Sequence, residues 1–134
     1  MTTTTTTATP PDYAEIVRVV QLYIDGFKGD VDKFKEAFHK DAWIFFTDAR
    51  GLLHENLISD SFEAWAATPK HIGGRIISVT QAGDVANVLL GFDDPTHPSD
   101  SWVDFHALLR INGKWKITNK TATHCSRAAW AAAQ

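Results

Sequence analysis

The arrangement in this sequence best suited to chemistry is a pair of ionisable side chains near its end. Asp104 and His106 lie two residues apart in an alternating segment, so both face the same side of a predicted strand. A carboxylate beside an imidazole can hold or transfer a proton, and apolar neighbours such as Trp102 would shift the pKa of both groups. We expect the pair to act as a general base or to orient a polar ligand; an internal network without a ligand is the alternative.

The position of this pair depends on a predicted hairpin. Asn112-Gly113 separates two alternating segments, 102–111 and 114–124. Asn-Gly favours a two-residue turn in which both central residues adopt positive φ, and this turn places Ile111 opposite Lys114. The turn therefore fixes the pairing of the two strands.

Counting back from the turn assigns partners to the pair. The expected partner of His106 is Asn119, and the expected partner of Asp104 is Thr121, with all four side chains on one face beside Trp102. Burying so many polar groups on an apolar face without a purpose would be costly, which favours a pocket lined by them. The opposite face is apolar and carries Val103, Phe105, Ala107 and Leu109.

Aromatic residues elsewhere in the chain could form a wall for a flat ligand. Residues at helical or alternating spacing are also typical of a core, so the pattern leaves both interpretations open. The candidates for this wall are Trp43, Phe45, Phe62 and Trp65, and Tyr23 on the apolar face of the first helix is a further ligand-binding candidate through its hydroxyl group.

Three helices and five strands are predicted to position these residues. Asp12 with Glu15 is a capping pair, and Pro69 prevents continuation of the third helix. After Pro69 the apolar period changes from helical to alternating, which predicts a strand meander. The predicted helices cover 12–26, 30–39 and 56–67, and the predicted strands cover 43–46, 75–81, 85–92, 102–111 and 114–124.

Four segments carry a resemblance to a known superfamily: Tyr23–Gly26, Phe38–Ala42, Gly83–Ala86 and Asp104–Lys120. The chain resembles the nuclear-transport-factor-2-like superfamily over about residues 13–124, and within it the putative lumazine-binding group. The resemblance implies an α+β cone-shaped fold, in which three N-terminal helices pack on a strongly bent, mostly antiparallel sheet. It also implies a pocket on the concave side and commonly a dimer through the convex side. It does not imply lumazine binding, because isomerases, dehydratases, polyketide cyclases and non-catalytic binders share this backbone.

Composition excludes several other classes. The chain has 134 residues and 44% apolar content, which suits one domain over 12–126 between a disordered Thr-rich tail (1–11) and a C-terminal tail (127–134). The net charge is −3 without a basic face, so a nucleic-acid partner is not expected. The sequence shows no signal segment and a single cysteine, Cys125, so a cytoplasmic location is expected. It has no long apolar run, so a membrane partner is not expected. No zinc spacing or phosphate loop occurs, so neither a metal nor a cofactor is expected.

Three functional hypotheses remain from the sequence. The first is a binder of a small aromatic or cyclic molecule, held between the aromatic wall and the polar stripe. The second is a cofactor-independent isomerase, dehydratase or cyclase that uses Asp104 or His106 as the base; Tyr23 is its only candidate for a second proton-handling group. The third is a structural dimer module. A homodimer is expected in each case, because the apolar face bearing Phe105 needs cover.

Overall fold

Within the residues that it describes, a computed structural model shows three short helices packed on one face of a six-stranded sheet. Most of the predicted Thr-rich tail and all of the C-terminal tail lie outside the described residues. The structure describes residues 9–48, 50–67, 73–93 and 100–126.

The helices follow from their apolar spacing and their caps. Helix α1 (Tyr13–Gly26) buries Ile16, Val19, Val20 and Tyr23 along one stripe. Helix α2 (Val31–Ala37) begins where the Asp30 side chain accepts a hydrogen bond from the Asp32 amide, as a helix N-cap does. Helix α1 reaches α2 closely because Gly26 has no side chain: a Cβ there would lie 2.5 Å from the Phe34 ring.

The predicted capping role of Asp12 is wrong, although α1 does begin beside it. Its side chain makes no hydrogen bond to the helix. Instead its Oδ2 accepts from Arg110 Nη1 at 2.6 Å and from Trp115 Nε1 and Gln81 Nε2, each at 3.1 Å. Asp12 therefore fastens the start of α1 to the sheet.

The sheet is mixed and contains one more strand than the sequence predicts. Its order is β2-β1-β6-β5-β4-β3, and every neighbouring pair is antiparallel except β1 with β6. The strands are β1 (Phe38–Thr47), β2 (Leu53–Leu57), β3 (Gly73–Ala82), β4 (Val85–Asp93), β5 (Asp100–Ile111) and β6 (Lys114–Ser126).

The third helix is shorter than predicted because β2 takes its first residues. Leu53–Leu57 pairs with the second half of β1, a 3₁₀ turn follows over Ile58–Ser61, and helix α3 covers only Phe62–Ala67. The second helix also ends earlier than predicted, because Phe38 already belongs to β1.

The Asn-Gly hairpin forms as predicted, but its pairing does not continue as expected. Asn112 and Gly113 have φ of 51° and 79°, and Leu108 lies opposite Ile117 as predicted. Beyond that pair the register shifts by one residue, because Thr118 is an extra residue in β6, a β-bulge. The Thr118 hydroxyl donates to the Ala107 carbonyl at 3.2 Å.

The bulge reverses the faces of the second half of β6. His106 lies opposite Lys120 and Asp104 lies opposite Ala122, so the predicted pairs of His106 with Asn119 and Asp104 with Thr121 are wrong. Strand β5 keeps its predicted faces: Asp104 and His106 are buried on the side of the helices, while Phe105 is 57% exposed. We call the side of Asp104 the inner face and the side of Phe105 the outer face.

Candidate functional site

A cavity of about 210 Å³ opens between the helices and the inner face of the sheet. Aromatic rings form most of its wall, and a carboxylate and an ammonium group form its polar part. Each of six helices and strands contributes at least one side chain. The lining residues are Tyr23, Phe27, Ile44, Phe46, Trp65, Phe92, Trp102, Asp104, Lys120 and Ala122.

Three groups that can carry protons meet at one carboxylate oxygen. The Tyr23 hydroxyl donates to Asp104 Oδ2 at 3.0 Å, His106 Nε2 lies 3.4 Å from the same oxygen, and Lys120 Nζ lies 3.5 Å from it. Asp104 and His106 are fully buried, and Lys120 is 7% exposed. These four residues come from α1, β5 and β6, so the fold alone brings them together.

The charges of this cluster depend on one another. Burial opposes ionisation of Asp104, but the Lys120 charge and the hydrogen bonds from His106 and Tyr23 outweigh it and hold the pKa of Asp104 below its usual value. Burial lowers the pKa of Lys120, and the Asp104 charge only partly opposes this effect. Burial also raises the pKa of the Tyr23 hydroxyl, which therefore stays protonated.

His106 is the neutral member of the cluster. Burial lowers its pKa, and the hydrogen bond with Asp104 compensates only in part. A neutral imidazole that donates from Nε2 to Asp104 has an accepting Nδ1. That Nδ1 is buried and has no hydrogen-bond partner among the residues that the structure describes.

Lys120 is the charged site residue that sequence reasoning missed, and the apolar lining residues Phe27, Ile44, Phe46, Phe92 and Ala122 were not predicted either. Its Nζ lies 4.7 Å from the centre of the Trp65 ring and 5.0 Å from that of Tyr23, so two aromatic faces flank the ammonium group. Without the bulge at Thr118, simple alternation from Ile117 would place Lys120 on the outer face. No local pattern in the sequence identifies Lys120 as a site residue, because its neighbours Asn119 and Thr121 are polar as well.

The predicted site residues lie in four different places. Tyr23, Trp65, Trp102 and Asp104 line the cavity, whereas His106 lies behind Asp104. Phe62 packs in the core, where its ring stacks on that of Phe34 at 5.4 Å. The remaining four lie on the outer face, away from the cavity: Trp43, Phe45, Asn119 and Thr121.

The outer face presents an apolar surface that crosses four strands. Phe45, Thr121, Phe105 and Leu89 follow one another from β1 to β4 in a single cross-strand row. Phe105 is 57% exposed, Trp43 45% and Phe45 37%. Large aromatic side chains in such a row usually mark a surface that another molecule covers.

Within the described ranges, no helix is long and apolar enough to cross a membrane, and no group of three His, Cys, Asp or Glu side chains is placed to hold a metal ion.

Comparison with known proteins agrees with this architecture. A nuclear-transport-factor-2-like protein of unknown function from Shewanella baltica is 26% identical, over 85% of this chain and 94% of its own, with a TM-score of 0.74. A second such protein, from Methylobacillus flagellatus, is 25% identical over 89% of this chain and 96% of its own, with a TM-score of 0.75. A protein with a cystatin-like fold from Caulobacter vibrioides shares the fold at 15% identity, over 92% of this chain and 96% of its own, with a TM-score of 0.66.

The search of curated proteins found no match. The sequence profile described as putative lumazine-binding matches residues 11–122, which include the three described helices, all of β5 and β6 as far as Ala122. The chain therefore belongs to the putative lumazine-binding family, within the nuclear-transport-factor-2-like superfamily.

Proposed function

We propose that the protein binds a small, flat, uncharged molecule in the aromatic cavity. The observation that carries this proposal is the pair formed by Asp104 and Lys120, a hydrogen-bond acceptor and a hydrogen-bond donor that both line a cavity otherwise walled by aromatic and aliphatic side chains. Convergent polar groups in an apolar, concave site are typical of ligand pockets.

The charges and hydrogen bonds of the pair define the ligand further. A carboxylate offers about four acceptor sites, and the Tyr23, His106 and Lys120 contacts all fall on Oδ2, so Oδ1 has acceptor capacity for a donor of the ligand. Lys120 has three N–H donors, and they are not all used by Asp104. Because the two charges cancel, a charged ligand would leave a net buried charge, which is costly. A ring that carries an N–H next to a carbonyl oxygen complements both groups.

The size of the cavity sets an upper limit to the ligand. A cavity of about 150 Å³ holds one benzene molecule, and this cavity measures about 210 Å³. Drug-sized ligands occupy pockets of roughly 300 Å³ or more. The ligand is therefore a molecule of one ring or two fused rings, a class to which lumazine, the compound in the family's description, belongs.

Isothermal titration calorimetry with lumazine tests this proposal. We expect saturable binding, and we expect 1,3-dimethyllumazine to bind at least about tenfold more weakly, because it lacks the ring N–H groups and leaves polar groups unpaired, a loss of about 1.4 kcal/mol or more.

Two tryptophan variants give the matched control. Trp65→Leu should weaken lumazine binding, because Trp65 lines the cavity, whereas Trp43→Leu should leave it unchanged, because Trp43 lies on the outer face. Equal affinities of wild type and Trp65→Leu for lumazine, or no binding of lumazine by any variant, would contradict the proposal for this ligand class.

A second candidate function is cofactor-independent proton transfer, with Asp104 as the general base of an isomerase, dehydratase or cyclase. The observation that favours it is the contact of Asp104 with Tyr23 and Lys120, since either residue could supply the second proton-handling group that such chemistry needs.

The test of this second function is solvent deuterium exchange into cyclohexanone, followed by nuclear magnetic resonance. Catalysed exchange should be lost in Asp104→Asn and retained in Asp48→Asn; full activity in both Asp104→Asn and His106→Gln would exclude this function.

The proposal includes a homodimer, formed through the outer face, in the cytoplasm. The exposed aromatic side chains of β1 and β5 support the dimer, and the single cysteine of the chain supports a reducing compartment.

A further inference from the structure

We propose that Lys120 captures small aromatic aldehydes and ketones by forming an imine with their carbonyl carbon. This inference rests on the proposed binding of a small ring molecule in the same cavity, and it names a reactive class of ligand. Three observations carry it: the position of Nζ in the cavity, the burial of the side chain and the carboxylate beside it.

The position of Lys120 satisfies the first need of an amine nucleophile, which is access to the ligand but not to bulk water. Its Nζ faces Trp65 and Tyr23 at 4.7 and 5.0 Å, so a ring bound against these aromatics presents its substituent to the nitrogen. The rest of the side chain is enclosed by the sheet and the helices, with 7% of the residue exposed. A desolvated lysine in an apolar site is a recognised form of activated nucleophile.

The neighbouring carboxylate satisfies the second need, which is a place for the proton. At rest its neighbours favour the Asp104 carboxylate. Its Oδ2, 3.5 Å from Nζ, can take a proton from the ammonium group as the attack begins, which gives a transient neutral amine and carboxylic acid without a change in net charge. Burial lowers the pKa of Lys120, which favours this neutral amine.

The reaction balances without an oxidant or a further reactant. The nitrogen lone pair forms a bond to the carbonyl carbon, and the carbonyl π electrons move to the oxygen. Asp104 gives the first proton to this oxygen, takes a second proton from the nitrogen and passes it to the resulting hydroxyl group. The nitrogen lone pair then forms the C=N bond as the C–O bond breaks and water leaves, which gives a protonated imine beside the Asp104 carboxylate. Aldehyde and amine thus give imine and water, and the imine remains open to hydrolysis.

No other lysine that the structure describes has this environment. Lys120 is the only buried one among the described residues. Lys28, for example, has 70% of its side chain exposed and contacts Asp25 at the surface, and Lys114 is exposed at the hairpin turn. Lys114 therefore serves as the internal control for reactivity.

The test uses benzaldehyde as the probe and sodium cyanoborohydride to trap the imine as a stable benzyl amine. The labelled wild-type protein is digested, and peptide masses locate the benzyl group. We expect Lys120 to be labelled at least about tenfold faster than Lys114 near pH 7, because an aldehyde bound in the cavity is held beside Nζ at a high effective concentration. The lowered pKa of Lys120 acts in the same direction, since it raises the neutral fraction of the amine. Lys120→Arg keeps the charge beside Asp104 but cannot form an imine, so its labelling should fall to that of surface lysines.

A binding measurement separates failure of this inference from failure of the proposed function. Benzyl alcohol has the same ring but no carbonyl carbon to attack, and titration calorimetry should show that it binds without forming an adduct. If benzyl alcohol and benzaldehyde bind but Lys120 is labelled no faster than Lys114, imine formation is refuted and the binding site stands. If neither binds, the proposed cavity function for single-ring ligands is refuted together with the imine.

Discussion

Asp104 is a buried residue of the cavity wall, and hydrogen-bond donors surround its carboxylate. Tyr23, His106 and Lys120 each lie within 3.5 Å of its Oδ2, and these contacts keep a carboxylate charged where burial alone would neutralise it. The sequence predicts that Asp104 and His106 share a face, since that needs only strand alternation. The sequence cannot show that Lys120 lies on the same face, because the face of that residue depends on the β-bulge at Thr118.

A pH dependence of stability follows from His106, whose pKa burial lowers in the folded protein. Below about pH 6.5 the unfolded chain takes up a proton that the folded chain does not, so the free energy of unfolding should fall as the pH falls, by at most about 1.4 kcal/mol per pH unit. Above that pH His106 is neutral in both states and does not make the free energy of unfolding depend on pH.

Urea unfolding of the wild type and of His106→Gln between about pH 8 and pH 5.5 measures this effect, because the wild-type pKa lies near 6.5 in the unfolded chain. The variant should lose stability less steeply on acidification. Identical pH slopes for the two proteins would show that His106 is not the group responsible.

At the scale of elements, the strands illustrate what local patterns can specify. The Asn-Gly turn is predictable because it needs positive φ at two successive residues, which Asn112 and Gly113 supply. The second half of β6 carries polar residues on both faces, with Asn119 and Thr121 alternating with Lys120, so no apolar period reveals the extra residue at Thr118. Strand β2 is hidden for a similar reason: Leu53 to Glu55 are exposed, and only pairing with β1 defines them.

The outer face of the sheet gives a prediction about assembly. We expect the protein to be a dimer at tens of micromolar in light scattering, a concentration well above the dissociation constant of a stable dimer. Phe105→Lys should produce a monomer with an unchanged fold, because it places a charge in the middle of the exposed aromatic row. Tyr13→Lys is the control, since Tyr13 is exposed at the start of α1 instead. A monomeric wild type, or a dimeric Phe105→Lys, would refute this interface.

The whole molecule consists of a sheet with two different faces. Its inner face, with α1, α2 and α3, buries the core and leaves an aromatic cavity over Asp104 and Lys120. Its outer face carries Phe105 and Trp43 in the open. The sequence predicts this division for β5 through alternation, whereas Trp43 and Phe45, which it offers for either a cavity wall or the core, lie on the outer face. Ile44 and Phe46 line the cavity instead, because the direction in which β1 faces is set by its parallel pairing with β6.

The central claim is that the cavity over Asp104 and Lys120 is a ligand site, and a crystal structure of the protein grown with lumazine tests it most directly. We predict one lumazine molecule between Trp65 and Trp102, with a ring N–H directed to Asp104 and a carbonyl oxygen to Lys120. An empty cavity at saturating lumazine, or lumazine bound only against Trp43 and Phe45 on the outer face, would contradict the claim.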